Sequence, residues 1–226
     1  MSEPGIRVFE QPHINAIFYH DFCSGRESDF IDRLRDTIDA EEILKEDTKA
    51  LLTKTSFDGR TIVVKHYRYV GLVHALAHTL TCSRARYAWN ATLRLLALGV
   101  PTHRPLACIE CFGRGLLKTS YFVYDYVKGF RFREYAWTHT PDTIMKEPHV
   151  HQVYALLRQL RVHRVSHGDL KMPNILITET GAVLIDLDQV RFHRFAPIFA
   201  KRRLRDLRRF RKELPWNRSS VVSDPP

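Results

Sequence analysis

One stretch constrains this chain more than any other. It reads His167-Gly-Asp-Leu-Lys-Met-Pro-Asn174, then the β-branched run Ile175-Leu-Ile177, a turn around Gly181, and Val183-Leu-Ile-Asp186-Leu-Asp188. Ahead of it, Val150, Val153, Leu156, Leu157 and Leu160 form an apolar stripe that predicts a helix over about 149–164. The separation of Asn174 from Asp186 fits two adjacent strands joined by a turn, so that both side chains project to one place. Turn chemistry alone accounts for an isolated Asp169 or Asn174 and for an Asp186 that caps a strand. It does not account for the ordered set.

The residue types suit phosphoryl transfer from ATP. That reaction passes through a charge-rich transition state, so the protein mainly supplies positioning and countercharge. Asp169 is expected to receive or orient an acceptor hydroxyl. Lys171, two residues on, is expected to neutralise the transferring group, and Asn174 and Asp186 to hold Mg²⁺ through hard oxygen ligands. Lys65 ends the β-branched strand Arg60-Thr-Ile-Val-Val-Lys65 and is expected to reach the α/β-phosphates; alone, it would read as a solvated strand end.

Around this segment the pattern divides. Residues 1–26 read as a loose N-terminal arm. A helix is predicted over 27–38 from Phe30, Ile31, Leu34 and Ile38, with Ser28 as its N-cap. Two strands are predicted within 42–56, and Asp58-Gly59 is a hairpin signal. Residues 69–98 read as helix in two pieces, one with the stripe Val70, Val73, Leu76, Leu80 and one with Trp89, Leu93, Leu96. Gly99 and Pro101 end it. Strands near 105–111 and 119–127 follow, turning at Gly113-Arg-Gly115, and Lys128-Gly129 is a break. The later chain offers a loop over 138–148, the catalytic stretch and a basic helix stopped by Pro215. The expected domains are therefore an arm (1–26), a β-rich lobe (27–128) and a mostly helical lobe (129–226).

Charge narrows the partners. The net charge is +10, with 35 Lys and Arg against 25 Asp and Glu, which points to an anionic ligand or surface. No acid occurs from His66 to Ile109, and between Arg191 and Glu213 ten basic residues face only Asp206 and Glu213. That second block suits an anionic membrane surface, with Arg202, Arg203, Arg205 and Arg209 as contacts, or a solvated face over an apolar stripe. Nucleic acid is disfavoured, because the arginines are not interleaved with exposed aromatics. No apolar run of membrane-spanning length occurs. Met1–Gly5 lacks the pattern of a signal peptide. Four scattered cysteines point to a reducing compartment. A cytoplasmic location, peripheral on the inner face of the membrane, is expected. Cys108 and Cys111 fall on opposite sides of a strand, and His74 and His78 lack a third ligand, so neither pair is expected to bind metal.

The chain resembles the protein-kinase superfamily and, more narrowly, bacterial lipopolysaccharide core kinases that phosphorylate Kdo or heptose. The resemblance lies in Ser83-Arg-Ala-Arg-Tyr-Ala-Trp-Asn90, Leu98-Gly-Val-Pro-Thr102 with Pro105, Tyr121-Phe-Val-Tyr-Asp-Tyr-Val127, Ser166-His-Gly-Asp-Leu-Lys171 and Leu184-Ile-Asp-Leu-Asp-Gln189, and covers roughly 42–214. It implies an α+β, bilobal protein-kinase-like fold with a small β-rich N-lobe and a reduced helical C-lobe. It also implies ATP and Mg²⁺ as cofactors, a glycolipid or sugar acceptor, and adenine bound through the backbone of Asp125, Tyr126 and Val127. Two departures stand out. The phosphate loop, expected near Lys45–Lys49, has no glycine. The helix glutamate that would pair with Lys65 is replaced by Ala88, leaving Glu110 or Asp186 to compensate. Only 40 residues follow Asp186, which favours a small acceptor over a peptide. A small atypical protein kinase, an antibiotic phosphotransferase and a nucleotide-binding pseudokinase remain the alternatives.

Overall fold

The computed structural model describes residues 5–37, 42–46, 48, 50–69, 76, 78–79, 81–140, 143 and 147–214. Two compact units divide the chain, one comprising 1–93 with 104–126 and the other 94–103 with 127–226. The division falls after Tyr126, with the short segment 94–103 belonging to the second unit.

The first unit is built on a seven-stranded sheet in the order β1-β2-β6-β7-β5-β4-β3. Its strands are β1 (Ile6–Gln11), β2 (Ile14–Tyr19), β3 (Glu42–Glu46), β4 (Ala50–Phe57), β5 (Arg60–Arg68), β6 (Pro105–Gly113) and β7 (Leu116–Asp125), all paired antiparallel. β4 and β5 turn at Asp58 and Gly59, both at positive φ, as the hairpin signal required. The expected loose arm is instead the hairpin β1–β2, which adds to β6. Its alternating Ile14, Ala16 and Phe18 carry the strand signal, whereas its turn at His13 takes positive φ without a glycine and gave no sequence sign.

Both sheet faces are covered. Helix α1 (Glu27–Thr37) places Phe30, Ile31 and Leu34 in one buried cluster with Ile62, Val64, Ile109 and Val123. Phe30 meets Phe57 at 4.7 Å and Phe22 at 5.0 Å, edge to face. Such pairs contribute about 0.5–1.5 kcal/mol each beyond burial. The helix begins at Glu27, so Ser28 lies within its first turn rather than at its N-cap. Ile38 lies outside the described residues. On the other face, α2 (Arg84–Ala97) buries Ala85, Ala88 and Trp89 against Tyr67, Cys108 and Phe122. Ser83 caps it, its Oγ accepting from Arg86 N–H at 3.0 Å. Of the other predicted stripe, Val70, Val73 and Leu80 lie outside the described residues.

In the second unit, Gly99 (φ +71°) ends α2, and Val100 N–H donates back to Leu95 O at 2.9 Å. The exit then grips the strand that precedes Asp186. Leu184 N–H donates to Pro101 O at 2.9 Å, and Thr102 Oγ1 donates to Leu184 O at 2.7 Å. β10 (Ile175–Thr178) lies between β8 (Phe130–Arg131) and β11 (Gly181–Leu184), while β9 (Val165–Ser166) pairs with β12 (Arg191–Phe192). A short helix not foreseen in the sequence, α3 (Phe132–Trp137), precedes α4 (Pro148–Val162), which buries Val150, Val153, Leu156 and Leu160 as predicted. The basic helix α5 spans Ala196–Lys212; Pro215 lies outside the described residues. No described helix is long and apolar enough to cross a membrane.

Candidate active site

The second unit assembles Asp169, Lys171, Asn174 and Asp186 around one loop. β9 leads into His167, and a 3-10 turn over Met172–Asn174 leads out to β10. Asn174 Nδ2 donates to Asp169 O at 2.9 Å, which leaves its Oδ1 as the oxygen available to a hard cation. Ile185 N–H donates to Asn174 O at 3.0 Å, bringing the residue before Asp186 against Asn174. Register Ile175↔Leu184 completes the two-strand arrangement that the spacing implied. Asp186 takes left-handed backbone (φ 62°, ψ 62°) as the strand turns into a 3-10 segment.

His167 is fully buried. Burial lowers its pKa, against the upward pull of its bond to Ile185, so the ring is neutral and its Nε2–H donates to Ile185 O at 3.0 Å. It ties the loop to the strand before Asp186 and serves as scaffold. Gly168 stands at φ +84°, and a Cβ there would lie 2.6 Å from Gln189 O, so any larger residue would displace the loop.

Helix α5 supports this loop, which the motif alone did not reveal. Asp206, 4% exposed, accepts from His167 N–H at 2.7 Å and from Gly168 N–H at 3.0 Å. Glu213 accepts from Met172 N–H at 2.9 Å. Asp169 meets two cations: Oδ2 accepts from Lys171 Nζ at 2.9 Å and Oδ1 from Arg209 at 3.1 Å. Arg209 also donates to Gly168 O. The sequence held a signal for part of this: Asp206 and Glu213, the two acids in the basic block, are seven apart and so share one helix face. Arg209, expected at a membrane surface, lies at the catalytic loop instead.

The first unit holds the residues expected at the nucleotide. Lys65 is half-buried on β5, on the sheet face that packs on α2, with its Nζ 5.5 Å from the Tyr67 ring centroid. Glu110 is buried and accepts from Arg86 of α2 at 2.6 Å. A helix-to-sheet ion pair is therefore present with its polarity reversed, the cation on the helix and the acid on the strand. At the end of β7, the Asp125 carboxylate is held by Arg60 through two bonds, at 2.6 and 2.7 Å. Asp125 N–H donates to Arg104 O at 3.0 Å and Tyr126 N–H to Thr61 O at 3.1 Å, so both amides are committed within the unit. Tyr126 is partly exposed, with Lys54 over its ring at 4.9 Å; Val127 opens the second unit. In the expected phosphate loop, Lys45 and Thr48 are exposed, and Lys49 lies outside the described residues.

Cys108 and Cys111 sit in buried clusters on opposite sheet faces, and burial pushes the Cys108 thiol up. His78 Nδ1 lies 3.0 Å from Cys82 O; His74 lies outside the described residues. Asn174 with Asp186 suits Mg²⁺, which takes one or two protein oxygens alongside the phosphates of its substrate.

Comparison with known proteins follows the same line. The model of the lipopolysaccharide kinase (Kdo/WaaP) family matches residues 39–222. A solved structure of WaaP in complex with acyl carrier protein superposes with a TM-score of 0.60 at 18% identity, covering 86% of this chain and 79% of that one. A likeness at that identity speaks for the fold, which is the expected α+β, kinase-like one. No curated protein matches the chain.

Proposed function

The chain belongs to the lipopolysaccharide kinase (Kdo/WaaP) family, a family of phosphotransferases acting on a sugar hydroxyl, and we propose that it transfers the γ-phosphoryl group of ATP, with Mg²⁺, to Kdo or heptose of the lipopolysaccharide inner core. The observation that carries this reading is the loop in which Asp169 binds Lys171 while its own carbonyl fixes the Asn174 amide. Asp169 orients the acceptor hydroxyl and takes its proton. The acceptor oxygen bonds to the γ-phosphorus, and the bond to the β–γ bridging oxygen breaks, the electron pair leaving with ADP. Lys171 neutralises the transferring group. Asn174 Oδ1 and the Asp186 carboxylate would hold Mg²⁺, which supplies countercharge to the phosphates. Lys65 serves the α/β-phosphates. In the Asp125–Val127 segment the Val127 N–H would serve adenine, since the Asp125 and Tyr126 amides are engaged. On this reading the first unit is the nucleotide lobe and the second the acceptor lobe.

The acceptor lies at an anionic leaflet, and α5 offers a surface for it. Lys201, Arg205, Arg208 and Lys212 recur at i, i+4, i+7 and i+11, all exposed and opposite the face that buries Phe199, Asp206 and Phe210. Each basic residue near such a surface contributes on the order of 1 kcal/mol. Replacing these four by Gln is expected to abolish low-salt flotation with anionic vesicles while the fold persists. Flotation unchanged by the four substitutions would remove the membrane role; loss of binding to acyl carrier protein instead would assign the face to a protein partner, as seen with the structural neighbour.

The deciding experiment is transfer from γ-labelled ATP onto separate acceptors. Label on lipopolysaccharide inner core, and not on protein or aminoglycoside, is expected. Mg·ATP binding without transfer to any acceptor would favour the pseudokinase alternative that the reversed Arg86–Glu110 pair keeps open.

A further inference from the structure

Two cations share Asp169, and they are held very differently. Lys171 reaches Oδ2 from within the loop itself, and both cations are about half exposed. Arg209 reaches Oδ1 from α5, 40 residues later. Its helix is bonded to the same loop on both sides of it, through Asp206 three residues earlier and Glu213 four residues later. The Arg209 nitrogen that meets Oδ1 also donates to Gly168 O, so the guanidinium is anchored to the loop backbone as well as to the carboxylate. One guanidinium nitrogen shared between Gly168 O and Oδ1 ties that carboxylate oxygen to the loop backbone, which the Lys171 bond to Oδ2 does not do.

We propose that Arg209 is a positioning residue for phosphoryl transfer. It keeps Oδ1 throughout the cycle, while Lys171 gives up Oδ2 to follow the transferring phosphoryl group. The freed Oδ2 then accepts the proton of the acceptor hydroxyl as the new O–P bond forms and ADP departs. The assignment rests on Asp169 facing the acceptor. It divides two basic residues that would otherwise look equivalent, one moving with the phosphoryl group and one static.

The test is steady-state kinetics of the full chain with Mg·ATP and lipopolysaccharide inner core, comparing wild type, Arg209→Ala, Arg209→Lys and Asp169→Asn, with melting temperatures alongside. Arg209→Ala is expected to lower kcat by about 10–100-fold, the scale of a misoriented catalytic group, with both KM values within about threefold of wild type. Arg209→Lys is expected to recover part of that loss, and added guanidinium to restore part of the turnover of Arg209→Ala. An unchanged kcat in Arg209→Ala would overturn the proposal. So would a raised acceptor KM at unchanged kcat, which would make Arg209 an acceptor-binding residue. A loss that follows a lowered melting temperature, with no recovery by lysine or guanidinium, would reduce it to a structural role. Asp169→Asn separates the two levels: if that variant turns over normally, the acceptor-facing reading of Asp169 fails whatever Arg209 does.

Discussion

The loop around Asp169 in the second unit and the seven-stranded sheet of the first are held by different strategies. In the loop, two acids from a distant helix accept directly from the backbone around Asp169, and the residues expected to do chemistry are themselves bonded to one another. In the sheet, Lys65 stands on β5 with its Nζ 5.5 Å from the Tyr67 ring centroid, and an ion pair that ties helix to sheet joins Arg86 to Glu110. The loop must place atoms to within a fraction of an ångström for transfer. On the proposed function the sheet needs only to present charge to phosphates, and long side chains can do that from several positions. This chain accordingly keeps the expected residues in the first region and departs from them in the second, where Ala88 stands in place of the helix glutamate.

Substitutions can break that contrast. Asp206→Ala should have the largest effect. It strands two backbone N–H groups, the buried one costing about 1–3 kcal/mol and the part-exposed one less, so a loss of about 2–4 kcal/mol in chemical denaturation is expected, with turnover falling further. Asp206→Asn should cost less, because one acceptor oxygen remains. Next, Asp186→Ala should weaken Mg²⁺-dependent nucleotide binding on the order of 100-fold by calorimetric titration, leaving metal-free binding nearly unchanged. In the first unit, Arg86→Met leaves a buried Glu110 uncompensated and should cost about 2–3 kcal/mol. Adding Glu110→Gln should recover part of that, which would mark the reversed pair as a structural tie and not a nucleotide contact.

The smallest effect concerns pH. His66 stacks on Tyr121 at 4.6 Å, and burial, aided by Arg68, lowers its pKa to about 4. The unfolded ring titrates near its ordinary value of 6.5. Below that value the unfolded state binds a proton that the folded state refuses. Stability should therefore fall as pH drops from about 6.5 to about 4. Thermal melts of His66→Gln should show a shallower decline over the same window.

How much was readable in advance follows the same contrast. Asp169, Lys171, Asn174 and Asp186 lie within 18 residues, so local spacing carried them. The hairpin at Asp58-Gly59, the Gly99 exit and α4 were likewise local signals. Asp206, Arg209 and Glu213 act on residues 38 to 41 positions away, and only helical periodicity hinted at a shared face. Strong positive charge drew Arg209 toward a surface role that its neighbours on the outward stripe suit better. The β1–β2 hairpin escaped because its turn lacks glycine and its partner β6 is about 90 residues distant.

Everything above turns on Asp169. Turnover and Mg·ATP affinity measured on one preparation of Asp169→Asn test it most directly, because asparagine keeps the shape of the carboxylate and removes its capacity to take a proton. Turnover is expected to fall by about 1,000-fold or more while Mg·ATP affinity stays within about threefold of wild type. Turnover near wild type would contradict the account.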